Sequence, residues 1–316
     1  MISRNLVALG AVVAAALAGT SLSSLAQTTG GLRVAALSAK PHLVSGGDVL
    51  LRVEMPKGMN PAQIGVLLNG NNVTAAFRPT GDGALQGLLT GLKLGENKVV
   101  AVAKDGESAA GQAELVLTNW PVEGPIISGP HQQLFICQTD KFGIAPIPGS
   151  LGAAKDKNCS IDTRVDYVYV TKGNQWKALA DRNARPDDLA EIAQKDGSKV
   201  PFIVRVETGT INRGIYQIAM VHDPKDPQPD HMTRSKGWDG RLLYTFGGGC
   251  QEGWYVQGKT TGGVLDIPVL QRGFAVASSS LNVFGNNCQD QLASETLMMV
   301  KEHFVEAYGV PKYTMG

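Results

Sequence analysis

Past residue 26 the chain lacks any apolar run long enough to cross a membrane as a helix, and it lacks a surplus of either charge. Setting aside residues 1–26 removes Arg4 and no acid, which leaves 28 basic and 28 acidic side chains. That balance gives no electrostatic footprint for nucleic acid or an anionic membrane. Cysteine is scarce, at four of 316 residues, and no Cys-x-x-Cys occurs, which speaks against a zinc site. Phenylalanine is outnumbered by glycine, 8 to 38, which favours turns and short strands over long helices. A Gly-x-Ser-x-Gly turn, which would expose a serine nucleophile, is also missing.

Residues 1–26 read as an export signal. Arg4 supplies a short positive start, Leu6 to Ala18 an alanine-rich apolar stretch, and Ser24-Leu25-Ala26 the small residues of a cleavage site after Ala26. The alternative is an uncleaved anchor. With cleavage, the protein is expected to be secreted or periplasmic, with no membrane attachment. In an oxidising compartment Cys137, Cys159, Cys250 and Cys288 are read as disulfides. Four cysteines allow three connectivities. Pairing within one stretch of chain favours Cys137–Cys159 and Cys250–Cys288.

Residues 27–119 carry seven short apolar or alternating runs between Leu32 and Leu117. Turn clusters such as Asn69-Gly70-Asn71-Asn72 and Gly81-Asp82-Gly83 separate them. The expectation is a small all-β sandwich of immunoglobulin type, without the buried tryptophan and paired cysteines usual there. No chemistry is read in it, and His42 is assigned a surface or packing role. Trp120-Pro121, Gly124-Pro125 and Gly129-Pro130 mark a boundary, so residues 120–316 form the second unit.

In that unit, His131 to Cys137 and Arg164 to Thr171 read as strands and Pro186 to Lys195 as a short helix. Val200 to Glu207 and Ile215 to Val221 form a hairpin. His222, Asp223, Asp230 and His231 match no metal-ligand spacing and are assigned to a Pro-rich surface loop. Arg241 to Phe246 reads as a buried strand, Gly262 to Gln271 as a short helical segment, and Gly273 to Ser279 as a second buried strand. Asp290 to Tyr308 is the strongest helix. Leu292, Thr296, Leu297, Val300, Phe304 and Ala307 share one face, while Lys301, Glu302 and Glu306 fall largely on the other. Gly309 fits its end, and Tyr313 to Gly316 begins another strand.

Three glycines, Gly247, Gly248 and Gly249, follow the strand that ends at Phe246. No side chain there blocks approach to the backbone N–H groups, and such a loop can hold a developing negative charge. Hairpin, strand, glycine loop, helix, strand, helix and strand follow one another. Strands separated by helices imply parallel pairing with right-handed crossovers.

Trp238-Asp239-Gly240-Arg241, the triple-glycine loop, Gly273 to Ser278 and the helix running into Tyr313 to Gly316 resemble tannase and feruloyl-esterase proteins. The whole chain is similar to an exported, tannase-like bacterial family. The resemblance implies an α/β-hydrolase-like sheet and a serine hydrolase acting on small-molecule or polymer esters, with no cofactor. It implies that the backbone N–H groups of the Gly247 to Cys250 loop, chiefly those of Gly248, Gly249 and Cys250, face the oxyanion. Cys250 would be a brace beside the site when paired with Cys288. The nucleophile elbow would start at Gly316, so the sheet is expected to be incomplete there and the chain as given inactive, with no catalytic residue assigned. Ser278, Ser279 and Ser280 follow the wrong strand for a nucleophile and are read as a strand end and polar loop. His303 is read as a solvated helix residue. The rival reading is a non-catalytic secreted binding or cell-surface protein. Oligomeric state is not legible.

Overall fold

The structure, a computed structural model, describes residues 28–29, 31–105, 108–194, 197–250 and 255–316. The expected export signal lies outside them. Strand outweighs helix, and the strands fall into several sheets. In the front part, Arg33–Ala36, Val49–Glu54, Leu85–Leu89 and Phe77–Pro79 form one antiparallel sheet. Ile64–Leu68, Gly95–Asp105 and Ser108–Trp120 form another. Every second residue points inward, as strand geometry requires. Val34, Val49, Leu51, Val53, Val66, Val99, Ala101 and Leu117 meet in one buried cluster between the two sheets.

The rest is organised by a seven-stranded sheet. Its strands are β1 (Arg164–Val170), β2 (Trp176–Ala178), β3 (Ile203–Ile211), β4 (Gly214–Val221), β5 (Arg241–Gly247), β6 (Phe274–Val283) and β7 (Tyr313–Met315), in the order β2-β1-β3-β4-β6-β5-β7. The hairpin of β3 and β4 is antiparallel, and β4 joins β6 antiparallel. Strand β5 runs parallel to both β6 and β7. Helix α1 (Ile267–Gln271) leads from β5 to β6, and α2 (Asp290–Tyr308) leads from β6 to β7.

Both faces of this sheet are covered. On one, Val204, Val206, Ile215, Ala219 and Val276 pack with Phe202 and with Leu270 of α1. On the other, Ile218, Met220, Leu242, Tyr244, Ala275 and Ala277 pack against Met299, Val300 and Phe304 of α2. The near-continuous apolar runs of β4 and β6 follow from burial on two sides.

Several sequence expectations change. The helix expected over Pro186 to Lys195 is absent among the described residues: Leu189 closes a turn on Pro186, and Glu191–Ala193 pairs as a strand with Lys199–Pro201. Ile192 enters the core that way. His131 to Cys137 contributes only an isolated bridge, Ile136 to Val256. Strand β6 continues through Ser278, Ser279 and Ser280, which are fully buried rather than in a polar loop. The polar side of α2 is not a solvated face either. Glu302 and Glu306 are buried against the front part, where the amide and hydroxyl of Ser45 donate to the two Glu302 oxygens at 3.0 and 2.5 Å. Gly309 ends α2 with a φ of +89°.

Candidate functional site

The Trp238-Asp239-Gly240-Arg241 stretch sits at the start of β5 and acts structurally. Trp238 is buried edge-on to Phe304, with ring centroids 5.3 Å apart, and its indole N–H donates to the Arg241 carbonyl at 2.8 Å. Asp239 and Arg241 form an ion pair at 2.6 Å, and the guanidinium lies 4.0 Å over the Phe274 ring. These contacts fix the entry of β5 against β6. Leu242 and Tyr244 then point into the α2 face, and the phenol of Tyr244 donates to Asn282 Oδ1 at 2.7 Å.

The glycines leave the sheet at the opposite end, the carboxyl end of the parallel strands, where open α/β sheets bind ligands. Gly247 is still the last residue of β5 and pairs with Val283. Gly248 and Gly249 lie beyond it and are exposed, as is Cys250. The loop is held through its carbonyls: Phe284 N–H donates to Gly247 at 2.9 Å and Gly285 N–H to Gly248 at 3.0 Å. Among the described residues, no hydrogen bond engages the N–H of Gly248, Gly249 or Cys250. Gly249 has a φ of +111°, and a Cβ there would stand 2.8 Å from the Gly285 Cα, so this position requires glycine. A Cβ at Gly248 would meet nothing within 4 Å.

Cys250 is bonded to Cys288, which ties the loop to the segment after β6, and Cys137 is bonded to Cys159. Gln257 secures the return of the loop. It is fully buried, its Nε2 donates to the carbonyls of Cys159 and Arg213 at 3.0 Å, and its Oε1 accepts from Gln138 N–H at 2.9 Å. Spacing gave no signal for Gln257, because its partners are scattered along the chain. The same holds for Glu295, whose Oε2 accepts from the N–H groups of Ile126, Ile127 and Ser128 at 2.8, 2.5 and 2.8 Å. A buried carboxylate from α2 thus fills a ring of amides in the segment that links the front part to the sheet.

Ser278, Ser280 and Ser235 each donate to a backbone carbonyl. Ser278 Oγ donates to the Thr245 carbonyl at 2.9 Å and Ser280 Oγ to the Gln257 carbonyl at 2.6 Å. Ser235 meets His222 Nδ1 at 3.2 Å, but its hydroxyl donates to the Val221 carbonyl at 2.6 Å and both residues are buried. Burial lowers the pKa of that ring. Asp223 pairs instead with Arg185. Among the described residues no group of three or more His, Cys, Asp or Glu could hold a metal ion.

His303 is half-buried rather than free on the helix surface: its Nε2 lies 2.7 Å from Glu207 Oε1 and 3.1 Å from the Tyr216 hydroxyl. Arg205, Tyr216 and Tyr308 also bond the Glu207 carboxylate. Burial pushes the Glu207 pKa up, but the hydrogen bond and charge of His303, then Arg205 and Tyr308, outweigh it and hold it at about 2. Glu302 is the opposite case, where burial raises the pKa to about 8 against the Ser45 hydrogen bonds. Burial and the neighbouring Glu302 also raise Glu306. Glu207 lies between the sheet and α2, and Glu302 and Glu306 lie between α2 and the front part.

No curated protein matches the chain. Residues 34–316 match the model of the Tannase-like family of unknown function (DUF6351), a span that takes in the front sheets, the glycine loop and the last strand, and the chain belongs to that family.

Proposed function

We propose that this chain carries the oxyanion-holding side of a serine-hydrolase site for carboxylic esters, in an α/β-hydrolase-like sheet behind an immunoglobulin-like module. The observation that carries the reading is the glycine loop: the N–H groups of three successive exposed residues, without partners among the described residues, at the carboxyl end of a parallel strand. Donors fixed before reaction stabilise a tetrahedral anion without reorganisation, and losing one typically costs about 100- to 1000-fold in rate. The disulfide at Cys250 and the carbonyl bonds of Gly247 and Gly248 supply that fixing. Family membership supports an ester substrate, small or polymeric. The two disulfides, and the absence among the described residues of a helix able to cross a membrane, fit an exported protein.

On this reading the described serines do not attack the ester. Methylphosphonate, a small tetrahedral anion, is the test. Titrated into the ¹⁵N-labelled protein, it is expected to shift the amide signals of Gly248, Gly249 and Cys250 saturably. Unchanged signals at all three contradict the proposal, and so does ester hydrolysis by the purified protein that is lost on Ser278→Ala or Ser235→Ala.

A further inference from the structure

The hairpin between β3 and β4 turns on Asn212-Arg213, with φ values of +53° and +64°. Two positive φ angles define the tight hairpin turn that favours Asn-Gly. Asparagine takes the first position here, but arginine takes the second, where a Cβ is disfavoured and glycine is the common choice. An arginine kept in such a position is a reason to ask what its side chain does.

The Arg213 side chain does not reach solvent freely; the residue is 7 % exposed. Its guanidinium lies 3.7 Å over the Phe135 ring, and Nη1 donates to the Gln132 carbonyl at 3.3 Å. Burial lowers its pKa. Among the described residues no carboxylate comes within ion-pair distance of it. A buried cation without a counter-charge is costly, and such groups are normally paired.

Arg213 forms part of the wall of a cavity of about 590 Å³, together with Phe135, Gln132, His131, Lys157 and Glu123. That volume lies within the usual range for small-molecule sites. Gln132 has its Oε1 buried with no donor. Burial, then the charge of Arg213, lowers the pKa of the His131 ring, and its Nε2 bonds the Glu123 carbonyl at 2.9 Å. Among the described residues, two cations, Arg213 and Lys157, and one carboxylate, Glu123, give the wall a single positive charge. The flat guanidinium fork matches a carboxylate, and one such group balances the charge where a doubly charged phosphate overshoots it. The β3–β4 turn lies at the same end of the sheet as the glycine loop, because Gly214 packs against Leu281 near the end of β6. Among the described residues the cavity shares no lining residue with that loop, so the site does not depend on the ester-hydrolase reading.

We propose that this cavity is a binding site for a small organic monocarboxylate, with the acid group on the Arg213 guanidinium and the apolar body beside Phe135. The test is calorimetric titration of the purified, oxidised protein with benzoate, with its neutral counterpart benzamide, and with inorganic phosphate. Benzoate is expected to bind saturably and about 10- to 100-fold more tightly than benzamide, the factor of a charge-assisted hydrogen-bonded pair. Phosphate is expected to bind more weakly than benzoate. Asparagine tolerates positive φ, so Arg213→Asn is expected to keep the thermal transition and to lose a similar factor in benzoate affinity. The wild-type comparison of benzoate with benzamide decides the matter even if that variant does not fold. Equal binding of benzoate and benzamide overturns the proposal, as does no saturable benzoate uptake by about 10 mM. Phosphate binding as tight as benzoate overturns it too, as does undiminished benzoate binding by folded Arg213→Asn.

Discussion

Gly248 and Gly249 stand side by side in one loop, yet the structure asks different things of them. A methyl group at Gly249 meets the Gly285 backbone at 2.8 Å and a φ of +111°. Gly249→Ala is therefore expected to destabilise by about 1–3 kcal/mol in urea unfolding. Gly248→Ala enters open space and should stay within about 0.5 kcal/mol of the parent. Equal costs would mean that the loop does not adopt this path. Glu295 gives a larger effect. Removing its carboxylate strands three amides that it now satisfies. Glu295→Ala is expected to cost about 2–4 kcal/mol by the same measurement. The glycine loop was legible because three glycines after an apolar run are a local signal. Glu295 was not, since its partners lie about 170 positions earlier and nothing in its own helix marks it.

At the scale of elements, the pattern rules read what one element determines by itself. The hairpin of β3 and β4, the buried runs of β5 and β6, and the helix at Asp290–Tyr308 all stand in the structure. Both disulfides join cysteines within one stretch of chain, as expected. The errors lie where a second element intervenes. Periodicity placed Glu302 and Glu306 on a polar face of α2, and the front sheets then covered that face. The stretch after Pro186 carries a helix-start signal, but pairing with Lys199–Pro201 buries Ile192 and wins. The Cys250–Cys288 bond, which spans 38 positions, is expected to contribute about 2–4 kcal/mol. Replacing both cysteines by serine should lower the urea midpoint accordingly. An unchanged midpoint would mean that the loop is held by its backbone bonds alone.

For the molecule as a whole, the contact between the front sheets and α2 sets a pH dependence. Glu302 has a folded pKa of about 8, above its unfolded value of 4.5, and Glu306 is shifted the same way. Between those values the unfolded chain releases protons that the folded protein keeps, so stability falls as pH rises from 4.5 through 8. Glu207 has the reverse sign. Its pKa of about 2 contributes stability above 4.5 that is lost as pH falls through 2. Thermal unfolding followed across pH should show both limbs, and Glu302→Gln should flatten the upper one. An upper limb unchanged in that variant would contradict the buried contact with Ser45. The esterase reading depends on a narrower matter, whether three amides just past the carboxyl end of β5 are unpaired. Hydrogen exchange resolved by residue tests it most directly. The amides of Gly248, Gly249 and Cys250 are expected to exchange near the free-peptide rate, while those of Leu242 to Tyr244 in β5 are strongly protected. Protection of the three loop amides comparable to that of β5 would show them already bonded within the protein and would contradict an oxyanion role.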